Sequence, residues 1–404
     1  MTNINATVPA PTASVTLDKG PVVITVLAFV LGALAIGEAI SPQQALLFLI
    51  GGLLGLTLYH ASFGFTGGWR RFVVERRGSA IRAQMLMIAA ASVVFIPLLA
   101  AGSFNGQPLA GAFAPVGVSV LVGAALFGLG MQLGGGCGSG TLFTVGGGSS
   151  RMLVTLIFFI VGAIIGTAHL PWWLALPSLP QISLGNALGV PGGVAVTLAG
   201  LAAVAALTVF IERRAHGGLE KVKPASRRGI ARLLHGPWPL FAAGLGLAAL
   251  NIATLVTAGH PWSVTFGFGL WGAKIAQAAG VPVETWAFWN WPGPAKALNS
   301  SVLADVTSVM NFGIILGAAL AAGLAGKFAP KAHVPFASFL AAAIGGVLMG
   351  YGARLSFGCN VGALFSGIAS GSVHGWLWFA LAFVGSLAGV ALRPLFGLDG
   401  FKTK

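Results

Sequence analysis

Two stretches of the chain set a cysteine in nearly the same glycine-rich frame: "LGGGCGSGTLF" from Leu133 to Phe143 and "LSFGCNVGALF" from Leu355 to Phe365. Aligned on Cys137 and Cys359, which are 222 positions apart, they share Leu133/Leu355, Gly136/Gly358, the cysteines, Gly140/Gly362, Leu142/Leu364 and Phe143/Phe365. These are the chain's two cysteines. A lone cysteine in an apolar setting is ordinarily a small buried hydrophobe; two in one repeated frame point to a shared role. Neither belongs to a C-x-x-C motif or stands near histidines at ligand spacing, so zinc or another metal and dithiol redox chemistry lack their usual signature. A disulfide between them is conceivable, but a reducing cytoplasm works against it. Thiols are polarizable and form weak hydrogen bonds, which suits a soft sulfur-bearing solute better than a hard oxyanion.

The glycines around the cysteines say how they are held. Gly134, Gly135 and Gly136, with Gly138 and Gly140, would each weaken a helix by about 1 kcal/mol, so the chain is expected to unwind there. The short apolar segments that follow, "TLFTVGGGSSRM" and "ALFSGIASGSVHG", read as half-helices. Their free N–H groups and helix dipole would favour an anion. Ser139 and Thr141 add hydroxyls to the first frame, and Asn360, in place of Gly138, brings an amide beside Cys359. With Gly136 and Gly358 these residues are expected to line a path.

Such unwound backbone needs a particular host. With 56% hydrophobic and 7% charged residues, the chain has far fewer charges than the roughly one quarter of a soluble protein, and it reads as an all-α integral membrane protein. Ten apolar runs approach the ~20 residues needed to cross a bilayer, near 21–40, 45–60, 81–101, 116–133, 152–170, 193–211, 239–258, 302–325, 336–355 and 375–395. Non-helical backbone at membrane depth is tolerated only inside protein or against a wet cavity. The 22 Lys and Arg against 8 acids are explained by the positive-inside rule without nucleic acid. With cytoplasmic termini, all of them except Lys274, Lys296 and Arg354 fall inside, which implies a multi-pass protein of the inner (plasma) membrane.

Cys137 follows the fourth run and Cys359 the ninth. Five spans per half is an odd number, so the halves are expected to be inverted, the plan of many transporters with a site where the halves meet. "FGFTGGWRR" at Phe63 and "FGFGLWGAK" at Phe266 repeat at the same interval of spans. The expected organisation is one membrane domain over 1–404, with a cytoplasmic tail (1–20), a first repeat (21–212), a basic cytoplasmic linker (213–236) and a second repeat (237–395). Lys274 could attract an anion at the outer mouth, although a loop lysine needs no such role. Arg354 is costly enough within a membrane to suggest function, with snorkelling the plainer account. Trp271 reads as an anchor or packing residue, Asn251, Asn311 and Asp305 as hydrogen-bonding between helices, and His60 and His374 as capping or packing residues.

Four stretches, "GGGCGSGTLF" at Gly134, "FGCNVGALFSGIASGSVHGW" at Phe357, "AGHPWSVTFGFGLWGAKI" at Ala258 and "SFGFTGGWRRFVVERRGSAIRAQML" at Ser62, resemble the YeeE/YedE sulfur-transport family across most of the chain. The resemblance implies an hourglass-shaped inverted repeat with four re-entrant loops. It further implies import of thiosulfate past relay thiols, here Cys137 and Cys359, by S–H hydrogen bonds without covalent chemistry, so the protein would be no enzyme. Importers of this family carry a third cysteine in the first loop, where this chain has Gly64. The resemblance also implies a small TusA-like sulfurtransferase as cytoplasmic partner, beside membrane lipid. Two other readings stand: a membrane thiol oxidoreductase cycling through a disulfide, and a channel for another small sulfur or selenium solute. No nucleotide-binding motif or other cofactor signature is present.

Overall fold

The computed structural model describes residues 17–221, 229–328, 330 and 333–401. Most of the expected tail (1–16) and residues 222–228 of the expected linker lie outside them. Among the described residues the protein is almost wholly helical, and ten helices are long and apolar enough to cross a membrane.

In chain order, α1 (Lys19–Ala39) and α2 (Pro42–Ala61) lead to the short α3 (Phe65–Glu75) and then α4 (Ser79–Ala101). A two-residue ladder, Ser103–Phe104 on Gln107–Pro108, follows α4. The long α5 (Val118–Gly134) gives way to the short α6 (Gly138–Gly146), and α7 (Ser150–Leu174) and α8 (Leu184–His216) complete this part. After α9 (Gly229–His235) the order recurs: long α10 (Leu240–Ala258) then α11 (Thr265–Ala278), a short α12 (Pro292–Asn299), α13 (Val306–Leu324), long α14 (Phe336–Leu355). A π-helical stretch, Asn360–Ser366, runs into α15 (Gly367–Ala369), and α16 (Val373–Leu392) follows. Both cysteines therefore stand between a long helix and a short one, where glycine content predicts a break.

The long helices are apolar on every side, as expected for segments buried in protein or lipid. α1 and α8 expose most of their apolar surface, including Leu27, Leu31, Leu34, Leu207 and Phe210, whereas α2, α5 and α13 are largely enclosed. The enclosed contacts are α2 with α13, α5 with α14, α7 with α14 and α5 with α16.

Small residues set how closely these helices approach. In the α5–α14 crossing a β-carbon on Gly130 would lie 2.7 Å from the Gly345 carbonyl oxygen, and one on Gly345 would lie 2.7 Å from that of Gly130. Gly123 and Gly352 meet in the same reciprocal way. In the alignment on the cysteines Gly123 corresponds to Gly345 and Gly130 to Gly352, so each contact is made twice with the partners exchanged. The flanking helices repeat the relation: Gly162 of α7 packs on the Val347 carbonyl, and Gly385 of α16 on the Ala125 carbonyl.

The charged face is bolted down. α8 continues through His216, and the buried Glu212 carboxylate receives Arg82 at 2.8 Å, Arg77 at 3.2 Å and the N–H groups of Gly78 and Glu220. Glu220 in turn receives both terminal nitrogens of Arg71, at 2.9 and 2.7 Å. That fork holds the Glu220 carboxyl below the usual carboxylate range and ties the chain after α8 to α3.

The crossing yields a paired prediction. Gly130→Val places a β-carbon against carbonyl oxygen and should cost about 1–3 kcal/mol or more, read as a lowered thermal midpoint in detergent. Gly67→Ala, where a β-carbon meets nothing within 4 Å, should leave the midpoint unchanged or slightly raised.

Candidate functional site

A helix that ends inside protein strands its last carbonyls, and the break after α5 is answered by cations. Arg151, in the first turn of α7, donates to the carbonyls of Gly134 and Leu133, both at 2.6 Å. Arg393, just beyond α16, donates to that of Gln132, and Thr155 also bonds Gly134 at 3.1 Å. Gly135 then takes φ +92°, a left-handed conformation that suits glycine. The chain next reaches Cys137, which is the N-cap of α6: its sulfur accepts the Gly140 N–H at 3.4 Å and contacts Ser139 Oγ at 3.5 Å. Thr141 Oγ1 donates to the Cys137 carbonyl at 2.8 Å, which fixes the first turn.

The break after α14 uses different means for the same end. Ser119 of α5 donates to the Leu355 carbonyl, and Trp378 of α16 donates to Ser356 Oγ at 2.9 Å. Phe357 (φ +57°) and Gly358 (φ +150°) are consecutive residues at positive φ, a strain of order 1–3 kcal/mol for a phenylalanine that packing must hold in place. Cys359 follows as N-cap of the π-helical stretch, its sulfur accepting the Val361 N–H at 3.4 Å.

A third break, between α10 and α11, is stitched by buried amides. Asn251 accepts the Trp262 N–H at 2.7 Å and donates to Ser366 Oγ; Ser366 donates to the Trp262 carbonyl; Asn311 donates to that of Val264. The three breaks meet. A β-carbon on Gly138 would lie 3.2 Å from Cys359 Sγ, 3.4 Å from Val264 Cγ1 and 3.6 Å from Thr265 Cγ2. The second thiol is thus seated on the glycine next to the first thiol, at the start of α11. Both thiols are free and buried. Beside them Asn360 is 0% exposed, and neither its amide nitrogen nor its amide oxygen has a partner. Buried polar groups are nearly always paired, so this amide, on the residue after Cys359, is an unused donor and acceptor.

A cavity of about 330 Å³ opens against this junction, lined by Gly358, Phe357, Ser263, Thr265, Phe266 and Arg354 among others. Arg354 Nε donates to Thr167 Oγ1 at 2.7 Å, its guanidinium lies 4.0 Å from the Phe288 ring centroid, and Nη2 is buried without a partner. Phe288 and Trp291 come from the segment between α11 and α12, which the sequence analysis passed over. Its signal is the aromatic run "WAFWNW" at Trp286.

The remaining candidates fall elsewhere. Lys274 Nζ is engaged by the carbonyls of Leu298 and Ser300, at 2.8 and 2.7 Å, and so pins the end of α12 to α11. Gly64 is the N-cap of α3 and lines a different cavity with Ser62, Arg71 and Gln84; a β-carbon there would meet nothing within 4 Å. Trp271 donates to Ser308 and stacks on Phe312. Arg151, Arg393 and Ser119 were missed as site residues, because their partners are backbone carbonyls remote in sequence.

A family described as sulphur transport matches residues 60–388, which takes in the three breaks that meet at the junction. The chain belongs to the YeeE/YedE sulphur-transport family. Within that family it is 25% identical to the thiosulfate transporter TsuA of Spirochaeta thermophila over 334 residues, covering 81% of this chain and 92% of that protein. It is 27% identical to the thiosulfate transporter TsuA of Escherichia coli over 342 residues, 83% and 90% of the two chains. The probable transporter YedE of Escherichia coli is 30% identical over 161 residues, 39% of each.

The capping of α5 can be tested directly. Arg151→Met strips two buried carbonyls of charge-assisted donors and should cost about 1–3 kcal/mol, read as a lowered thermal midpoint. Arg151→Lys should recover only part of it, since an ammonium cannot fork to two carbonyls as a guanidinium does.

Proposed function

We propose that this member of the sulphur-transport family is a permease of the inner membrane that carries thiosulfate, or a closely similar sulfur anion, into the cytoplasm past Cys137 and Cys359. The observation that carries the reading is the seating of Cys359 Sγ against Gly138 at the meeting of three helix breaks. Two free thiols, each hydrogen-bonded to the first N–H groups of a short helix, combine a soft sulfur contact with the positive end of a helix dipole. Thiosulfate has the matching halves, a terminal sulfur for the thiols and oxygens for N–H donors. The anion is handed from one sulfur to the other by hydrogen bonds, and no bond to cysteine forms. Asn360 supplies the amide that meets the oxygens.

The inverted repeat belongs to the same proposal. The reciprocal glycine contacts of α5 with α14, and the matched contacts of α7 and α16, support a two-fold relation in which α1–α7 correspond to α8–α16. On that pairing the boundary of the halves lies between Leu174 and Leu184, ahead of the basic linker. The arginines on the α3–α4 turn and the charged end of α8 support a cytoplasmic placement of that face and of both termini. The outer cavity with Arg354 then faces the side from which the anion arrives, and a TusA-like sulfurtransferase would take it from the cytoplasmic face.

Cys137→Ala and Cys359→Ala should each reduce radiolabelled thiosulfate uptake to the level of cells lacking the protein, with undiminished folded protein in the membrane. Asn360→Leu should lower uptake about 5–150-fold, the equivalent of one buried hydrogen-bonding group of about 1–3 kcal/mol. Normal uptake by both cysteine variants would falsify the relay.

A further inference from the structure

Arg354 and Gln132 occupy equivalent places. Each is five residues ahead of its cysteine, at the end of α14 and α5 respectively. Arg354 donates to a hydroxyl of α7, Thr167 Oγ1 at 2.7 Å, and Gln132 donates to a hydroxyl of α16, Ser386 Oγ at 2.6 Å. Each has a flanking glycine against its stem: a β-carbon on Gly166 would lie 3.0 Å from Arg354 Cβ, and one on Gly389 would lie 2.8 Å from Gln132 Cβ. Each also meets the short helix beside it. Gly269 of α11 faces Arg354 Nη2, and Gln132 Nε2 donates to the Thr66 carbonyl of α3 at 3.2 Å.

The chemistry at the two places is opposite. Arg354 is a permanent cation that no carboxylate among the described residues pairs with, and its Nη2 donor is idle in a buried position. An unpaired buried charge is costly, and an oxyanion in the adjoining cavity would relieve that cost through the fork of guanidinium donors. At Gln132 both side-chain N–H groups are spoken for, and what is left over is Oε1, an acceptor. The hydroxyl of Thr66, the residue whose carbonyl Gln132 bonds, is also buried without a partner. Arg151 and Arg393 stand close by, but they are engaged with the carbonyls of Gln132, Leu133 and Gly134.

We propose that this exchange of an arginine for a glutamine at equivalent positions makes the two ends of the path unequal: Arg354, with a free guanidinium donor, captures the anion on the outer side, and the Gln132–Thr66 pair, where the neighbouring arginines have their donors engaged and a hydroxyl is left, lets it go on the cytoplasmic side. The inference rests on the transport reading above and adds a difference in affinity between the two faces. An asymmetry of this kind sets which face saturates first and leaves the equilibrium distribution of a passive solute untouched.

The test uses right-side-out and inside-out membrane vesicles holding the full chain, with labelled thiosulfate as probe. The wild type should half-saturate at lower concentration from the outer face than from the cytoplasmic face. Arg354→Gln should raise the outer half-saturation about tenfold or more, as expected for loss of a charge-assisted donor, while the cytoplasmic half-saturation holds. Thr66→Val, close to isosteric, should raise only the cytoplasmic value. In the exchange variant carrying Arg354→Gln and Gln132→Arg the order of the two faces should invert. An Arg354→Gln protein with an unchanged outer half-saturation, or with only its maximal rate reduced, overturns the proposal whether or not the exchange variant folds. If such a protein still carries thiosulfate, the transport reading survives that result; a wild type that carries none removes both.

Discussion

The structure depends on what happens to peptide groups where a long helix stops inside apolar surroundings. Lipid and hydrocarbon side chains accept no hydrogen bond, so every stranded carbonyl and N–H must find a partner in the protein or face a cavity. At the end of α5 the partners are two guanidinium groups, and at the end of α14 they are a serine and a tryptophan-braced hydroxyl. Between α10 and α11 they are two asparagines. Once the carbonyl side is satisfied after α5 and α14, the N–H side of the short helical segment that follows each is free to be capped by a soft side chain, a cysteine. The thiols are thus placed by the capping of the breaks and not by any cluster of catalytic residues.

That constraint also explains the glycine content. Breaks in two different helices can meet only if the helices that carry them touch along their backbones, and the reciprocal Gly123–Gly352 and Gly130–Gly345 contacts bring α5 and α14 that close. Packing of small residues supplies association where the hydrophobic effect supplies little, since lipid tails are as apolar as leucine. The charged clamp of Glu212 and Glu220 on the arginines of α3 and α4 acts at the margin, fixing the short α3 in relation to α8.

The ten long helices and both breaks at cysteine were legible in the sequence because each is written locally, in apolar length and in clustered glycine. Arg151 and Arg393 were not: a cation near a membrane surface reads as topology, and only the fold reveals that its partner is the end of α5. Lys274 had the opposite fate, since its loop position suggested an exposed charge and the end of α12 engages it. Asn251 and Asn311 were read as bonds between helices; Asn251 does reach Ser366 after the second cysteine, and both also hold the unwound backbone of the third break. The aromatic segment at Trp286–Trp291 escaped because no periodicity marks it, and it matters only through the cavity it closes over Arg354.

The two cysteine frames differ at the point where they touch. If the first frame carried asparagine at 138, as the second does at 360, its Cβ alone would stand 3.2 Å from Cys359 Sγ and 3.4 Å from Val264 Cγ1, and the rest of the amide would have to displace that sulfur or the start of α11. If the second frame carried glycine at 360, the buried amide beside Cys359 would be lost. Two identical frames would therefore either crowd Cys359 or leave the junction without this amide. Gly138 in one frame yields space to Cys359 while Asn360 in the other supplies a polar group, so the inequality of the two frames falls where close packing favours it.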